Sequence, residues 1–255
     1  MGEFSGRAAF VTGGSRGVGR AIALEFASRG ASVAVVYNAS RSKADDVVAA
    51  ISAGGGKALA VQADVADPDA VAAAFAKAVD FLGNIDFLIH SAGAQVEWAN
   101  VRDQDPKMWA AFVRNDLVGA FNVIHEAVCH MHTRHQGVIV AISSIAAQMC
   151  QSRNSQGAAA KAGLEALVRV VAREEGRYGI RANAISIGLT DTDQASEAFE
   201  SWGAEATQRI ISRIPLQRIG RPQEIARMAA YLASEDGSYI TGKIIQVDGG
   251  QMIAG

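Results

Sequence analysis

Short apolar runs separated by longer amphipathic stretches set the pattern of this chain. The runs cover Ala8 to Thr12, Ser32 to Tyr37, Lys57 to Gln62, Ile85 to Ile89, Val138 to Ile142, Ile180 to Ser186 and Lys243 to Val247. Their lengths are those of strands. Between them lie stretches of helical character: from the first glycine turn through Arg29, on to about Ala53, Pro68 through Phe81, Pro106 to about His132, the Lys161 stretch to about Tyr178, and Pro222 through Ala233. Prolines open several of these helices, and Gly54-Gly55-Gly56 and Gly83 end two of them. Strict alternation predicts an α/β fold with seven parallel strands in one doubly wound sheet, flanked by helices. The ligand crevice of such a sheet lies at the C-terminal ends of its strands. No linker, repeat or low-complexity tract divides residues 1–255, so a single domain is expected. The longest departure from alternation, at about 190–214, is the candidate cover over the substrate.

The first strand runs into Gly13-Gly14-Ser15-Arg16-Gly17-Val18-Gly19 and then a helix. Glycines there let backbone approach a phosphate, and the helix N-terminus supplies free N–H groups. This Rossmann-type arrangement predicts a dinucleotide. An NAD site calls for an acid near the end of the second strand, to hold the ribose 2′-hydroxyl. Here Tyr37-Asn38-Ala39-Ser40-Arg41-Ser42-Lys43 stands there instead. Arg16 and Arg41 could face a 2′-phosphate through planar guanidinium forks, so NADP(H) is favoured and NAD(H) is the alternative. Asp64 could accept from an adenine amino group, and the small residues of His90-Ser91-Ala92-Gly93 let a cofactor pass close to the backbone.

Composition narrows the function classes. Hydrophobic residues make up 49% and charged residues 20% of the 255, with a net charge of −2. Nothing here favours nucleic acid or an anionic membrane as partner. The longest apolar stretches are strand-length, not membrane spans. The N-terminal residues carry an early acid and no long apolar segment, so no signal peptide is expected. The two cysteines, Cys129 and Cys150, form no spaced framework, and a cytoplasmic location is expected. His125, His130, His132 and His135 end one helix, but only His125 and His132 fall near one face and no carboxylate joins them at ligand spacing; a solvated helix end is expected, with no metal.

The pattern as a whole resembles the short-chain dehydrogenase/reductase family. The matching elements are Thr12-Gly13-x-x-x-Gly17-x-Gly19, Asp64, Ala92-Gly93, Asn115, Ser144, Lys161, Gly188, Thr192 and the closing Asp248-Gly249-Gly250. The resemblance implies a catalytic set of Asn, Ser, Tyr and Lys, which by position falls on Asn115, Ser144 and Lys161. With Thr192 at the nicotinamide carboxamide, the implied cofactor surface comprises Gly13, Ser15, Arg16, Gly17, Val18, Gly19, Arg41, Asp64, Val65, Ser91, Ala92, Gly93, Lys161, Gly188, Thr190 and Thr192. A homotetramer and a small-molecule substrate are implied too.

Two departures matter. His90-Ser91 replaces the family's usual pair of asparagines, and the tyrosine is missing. Its position, four residues before Lys161, holds Gly157, and the chain's tyrosines are Tyr37, Tyr178, Tyr231 and Tyr239. Ketone reduction creates an alkoxide that needs a proton, and a positioned acid contributes roughly 10²–10⁴-fold. Reduction of a conjugated alkene asks for less, because charge collects on a thioester enolate that water can protonate at carbon. Enoyl- and dienoyl-thioester reductases of the family similarly dispense with the tyrosine. The expected activity is therefore NADP(H)-dependent reduction of an enoyl-type acyl thioester. The rivals are a carbonyl or ketoacyl reductase whose proton comes from substrate, water or a neighbour such as Gln148, Ser152 or Asn154; a nucleotide-binding protein without redox activity; and an introduced substitution at Gly157.

Overall fold

The computed structural model describes residues 2–193, 195, 199 and 203–253. Its seven strands are β1 (Ala8–Thr12), β2 (Ser32–Tyr37), β3 (Ala58–Gln62), β4 (Phe87–His90), β5 (Gly137–Ser144), β6 (Ile180–Ile187) and β7 (Ile244–Val247). They form one parallel sheet in the order β3-β2-β1-β4-β5-β6-β7. Register is fixed along β1, where Val11 pairs with Val35 of β2 on one side and Ile89 of β4 on the other. The connections reverse direction between β1 and β4. That switch point opens a crevice beyond the C-terminal ends of the two strands.

Helices cover both faces. On one side lie α1 (Gly17–Ser28) and α2 (Arg41–Ala53); on the other, α3 (Pro68–Leu82), α4 (Pro106–Val113), α5 (Gly119–Arg134) and α7 (Ser155–Glu175). Short α6 (Ala146–Met149) precedes α7, and α8 (Ala204–Ile211) and α9 (Pro222–Ala233) complete the described helices. The α1/α9 side is anchored by Phe4, Phe26 and Phe87, whose ring centroids lie 4.9 to 5.4 Å apart. The opposite core includes Phe10, Phe75, Ile139 and Leu164. Among the described residues no helix is long and apolar enough to cross a membrane.

The helix expected from Pro106 to His132 runs from Pro106 to Arg134, but it is not α-helical throughout. Residues Arg114–Val118 form a π-turn between α4 and α5. Such bulges insert one extra residue per turn and concentrate at functional sites. This one lies beside the crevice, and its consequence is described below.

β4 ends in a fully buried imidazole. His90 Nδ1 lies 3.1 Å from Thr12 Oγ1. That hydroxyl also accepts the N–H groups of Ser91 and Ala92, at 3.2 Å each. With its lone pairs so used, Thr12 donates to Nδ1, which leaves the proton of neutral His90 on Nε2. Burial, reinforced by the positive charge of Lys161 and opposed by Asp116, lowers the imidazole pKa to about 3. In the unfolded chain it returns to 6.5. Between these values the unfolded state binds more protons, so stability is fully present above the window and is lost as pH falls through it. Urea unfolding at stepped pH should show this component, with a slope approaching about 1.4 kcal/mol per pH unit below the imidazole's ordinary range. His90→Asn should remove it; an unchanged slope would show that His90 does not stay neutral in the fold.

Candidate active site

The crevice is a cleft of about 1840 Å³. Its floor begins where β1 turns into α1. Gly13 has φ +65°, and a Cβ on it would lie 2.7 Å from the Ser91 carbonyl oxygen. Gly17 has φ +52° and faces the methyl of Thr192 across the cleft. Only glycine combines that backbone with that clearance. The N-cap of α1, Arg16, makes no side-chain cap hydrogen bond, so the first N–H groups of the helix remain available to an anion. Ser15, Arg16, Val18 and Gly19 line the cleft with the two glycines, as do Asn38 and Ser40 beyond β2. Ser40 likewise makes no side-chain cap bond at the start of α2. The residues fit a dinucleotide: glycine-cleared backbone, a free helix N-terminus and no acid at the end of β2.

Val65, Ser91, Ala92, Gly93, Gly188, Thr190 and Thr192 also line the cleft. The turn after β6 is braced from the C-terminal end, where Gln251 Oε1 accepts Leu189 N–H at 2.8 Å. Asp248 holds that end through the N–H groups of Gly250 and Met252, at 2.9 and 2.8 Å. Two expected cofactor residues lie differently. Arg41 is an exposed side chain outside the cleft lining, 3.4 Å from Asp45 on its own helix. Asp64 turns its Oδ1 back to Ala66 N–H at 2.9 Å, while its neighbours Ala63 and Val65 line the cleft.

At the chemical end, β5 delivers two serines with opposite fates. Ser143 is buried and donates to Glu165 Oε1 at 2.8 Å. Ser144 faces the cleft and accepts Ala146 N–H at 3.2 Å. Lys161 of α7 reaches the same cleft, and its Nζ sits 3.1 Å from Asp116 Oδ2. Asp116 is 1% exposed. Its other oxygen accepts Ala94 N–H at 2.7 Å and the Asn115 amide at 2.9 Å. Buried carboxylates persist where charge and hydrogen bonds are met in this way.

Asp116 was missed by the sequence reading, which assigned the amide role to Asn115. Asn115 does line the cleft, but it reaches Lys161 only through the carboxylate beside it. A signal existed in the spacing: Phe112, Asp116 and Ala120 share one buried stripe, and Asn115 does not. An acid on such a stripe must find a cation or a set of N–H donors.

Gly157 is buried in the first turn of α7, and its N–H donates to Asn154 Oδ1 at 3.1 Å. A Cβ at 157 would run into the Asn154 carboxamide. No acid stands there. The start of α7 is fixed further by a polar chain: Trp109 donates to Ser155 at 3.1 Å, Ser155 and Gln104 bond, Gln104 bonds Gln156, and Gln156 donates to the Glu97 carbonyl at 2.7 Å. These bonds tie the 94–106 loop, whose Ala94 and Val96 line the cleft, to the lysine helix.

The cover expected at 190–214 is described in part. Ala206, Ile210 and Arg213 line the cleft, and Asp193 forms an ion pair with Lys43 of α2 at 3.0 Å. Trp202 and its near neighbours lie outside the described residues. In the histidine-rich end of α5, His132 is 2.7 Å from Glu175, and His125 stacks on Phe121. Among the described residues, no group of three or more metal-ligating side chains is assembled.

Comparison with known proteins accords with this geometry. The family model described as enoyl-(acyl carrier protein) reductase matches residues 13–252. A 3-oxoacyl-(acyl-carrier-protein) reductase of Staphylococcus aureus is 36% identical over 244 residues, covering 96% of this chain and 97% of its own. A cis-4-hydroxycyclohexanecarboxylate dehydrogenase of Sinomonas cyclohexanicum is 38% identical, covering 98% of both chains. The structure of a gluconate 5-dehydrogenase from Burkholderia cenocepacia in complex with NADP and tartrate superposes with a TM-score of 0.92 at 30% identity, over 98% of this chain and 97% of the other. The chain belongs to the short-chain dehydrogenase/reductase family of NAD(P)-dependent oxidoreductases.

Proposed function

We propose that the protein is an NADP(H)-dependent reductase of the conjugated carbon–carbon double bond of an enoyl-type acyl thioester. One observation carries the reading. The position from which an acid would reach a substrate oxygen is Gly157, and the nearby ammonium of Lys161 is already paired with Asp116.

When bound, the reduced nicotinamide supplies a hydride. What the chain must then do depends on where the electron pair goes. A ketone places it on an alkoxide oxygen, which requires a proton there. An enoyl thioester accepts hydride at the β-carbon, and its π electrons move to the thioester oxygen as an enolate. Ser144 can hold that oxygen by hydrogen bonding, and water can protonate the α-carbon. Lys161 keeps two N–H donors beyond the one facing Asp116, enough for the hydroxyls of a nicotinamide ribose. Asp116 and Asn115 set the position of that ammonium.

The preference for NADP(H) rests on Arg16 and the uncapped start of α2 at Ser40, both on the cleft, with Asn38 where an acid would otherwise stand. The description of the matching family model and the bound NADP of a structural relative support the same reading. Exposed Met108, Phe121 and Val170 on α4, α5 and α7 offer apolar faces for the proposed homotetramer.

Asn38→Asp should shift the ratio of affinities toward NADH by about tenfold or more, read as dissociation constants for the two reduced cofactors. No shift would place the 2′-substituent elsewhere. With NADPH and crotonoyl–coenzyme A, the protein should form butyryl–coenzyme A, and Lys161→Ala should lower kcat/KM by at least about 10²-fold. Cofactor binding without saturated product would reject the enoyl substrate class.

A further inference from the structure

Three side chains stand close enough in sequence to Gly157 to be asked what replaces the missing group. Gln148 is committed: its amide donates to both oxygens of Glu165, at 3.3 and 3.2 Å, and its carbonyl accepts from Gln246 at 2.8 Å. Ser152 is exposed and does not line the cleft. Asn154 lines the cleft and is 4% exposed.

The orientation of Asn154 follows from its partner. It is the N-cap of α7, and the Gly157 N–H requires an acceptor, so Oδ1 faces the helix. Nδ2 therefore points away from that bond with both of its hydrogens. A Cβ built on Gly157 would run into the Asn154 carboxamide, meeting Oδ1 first and lying 3.0 Å from Nδ2, so the amide group as a whole occupies the volume a side chain at 157 would enter. Among the described residues, no protein group accepts from it. A nearly buried amide with an unused donor, on the same cleft as Ser144 and Lys161, is poised for a ligand oxygen.

We propose that Asn154 Nδ2 donates a hydrogen bond to the substrate's carbonyl oxygen, forming with the Ser144 hydroxyl a two-donor oxyanion site. The proposal rests on the enoyl-thioester reading and deepens it. A carboxamide stabilises negative charge on oxygen but does not release a proton at neutral pH. It suits an enolate that is protonated at carbon and does little for an alkoxide. It also gives Gly157 a positive role: any Cβ there would displace the amide, so glycine at 157 and asparagine at 154 work as one unit.

Asn154→Asp and Asn154→Ser both retain a capping oxygen for the Gly157 N–H, and both remove the amide donor. The serine variant does so without adding charge. With NADPH and crotonoyl–coenzyme A, kcat should fall by about 10²-fold in both variants, with cofactor dissociation constants within about twofold of wild type and melting temperature little changed. A wild-type kcat in either variant overturns the proposal while leaving the enoyl reading intact. Equal loss of melting temperature and cofactor affinity overturns it too, since that reports a cap only. A second readout needs no turnover: the ultraviolet absorption of the enolate of acetoacetyl–coenzyme A bound with NADP⁺. Wild type should enrich the enolate and both variants should not. If wild type fails to reduce crotonoyl–coenzyme A, the enoyl reading fails and this absorption decides alone; equal enolate in wild type and variants rejects Asn154 as a donor.

Discussion

The ammonium of Lys161 stands 3.1 Å from a carboxylate that the π-turn at Arg114–Val118 carries into the protein. Both partners are largely removed from water, so neither could be left alone at acceptable cost. Asp116 is also held by the Ala94 N–H and the Asn115 amide. Through these bonds one carboxylate ties the loop after β4, the bulge before α5 and the lysine helix α7 into a fixed corner. The cleft takes its shape at the chemical end from that corner.

The same pairing limits what the lysine can do. A free ammonium projects a field that would favour a nearby anion and lower the pKa of an acid beside it. Paired to Asp116, Lys161 presents a nearly neutral unit with donors to spare. A phenol at 157 would gain little from such a unit, and the chain carries glycine there. The amide of Asn154 occupies that place, and Ser144 presents a hydroxyl to the same cleft. Donors without an acid match a reaction in which charge rests on oxygen while the proton goes to carbon.

Much of this was legible in the sequence. The seven strands, their parallel arrangement and the glycine turn follow from runs, alternation with helices and turn chemistry, and the structure differs from the expected strand bounds by a residue or two at most ends. Lys161 and Ser144 fall on the cleft by the same logic. The chemical corner was harder to read, because partners there are distant in the chain. Asp116 meets Lys161 only after a helix bulge that leaves no clear mark in composition. Asn154 could be named as a neighbour of Gly157, but its orientation depends on which way a cap bond points. Arg41 was the reverse case: a basic residue at a plausible spacing that α2 turns toward Asp45 and solvent.

The most direct measurement is the ratio of kcat/KM for a matched pair of thioesters, enoyl and 3-oxoacyl of equal chain length, with NADPH, for the wild type and for Gly157→Tyr. A site built of donors without an acid favours the enoyl member in the wild type by at least about 10²-fold, the scale of one positioned acid. It also loses that preference when a tyrosine displaces the Asn154 amide. Faster reduction of the 3-oxoacyl member by the wild type would contradict it.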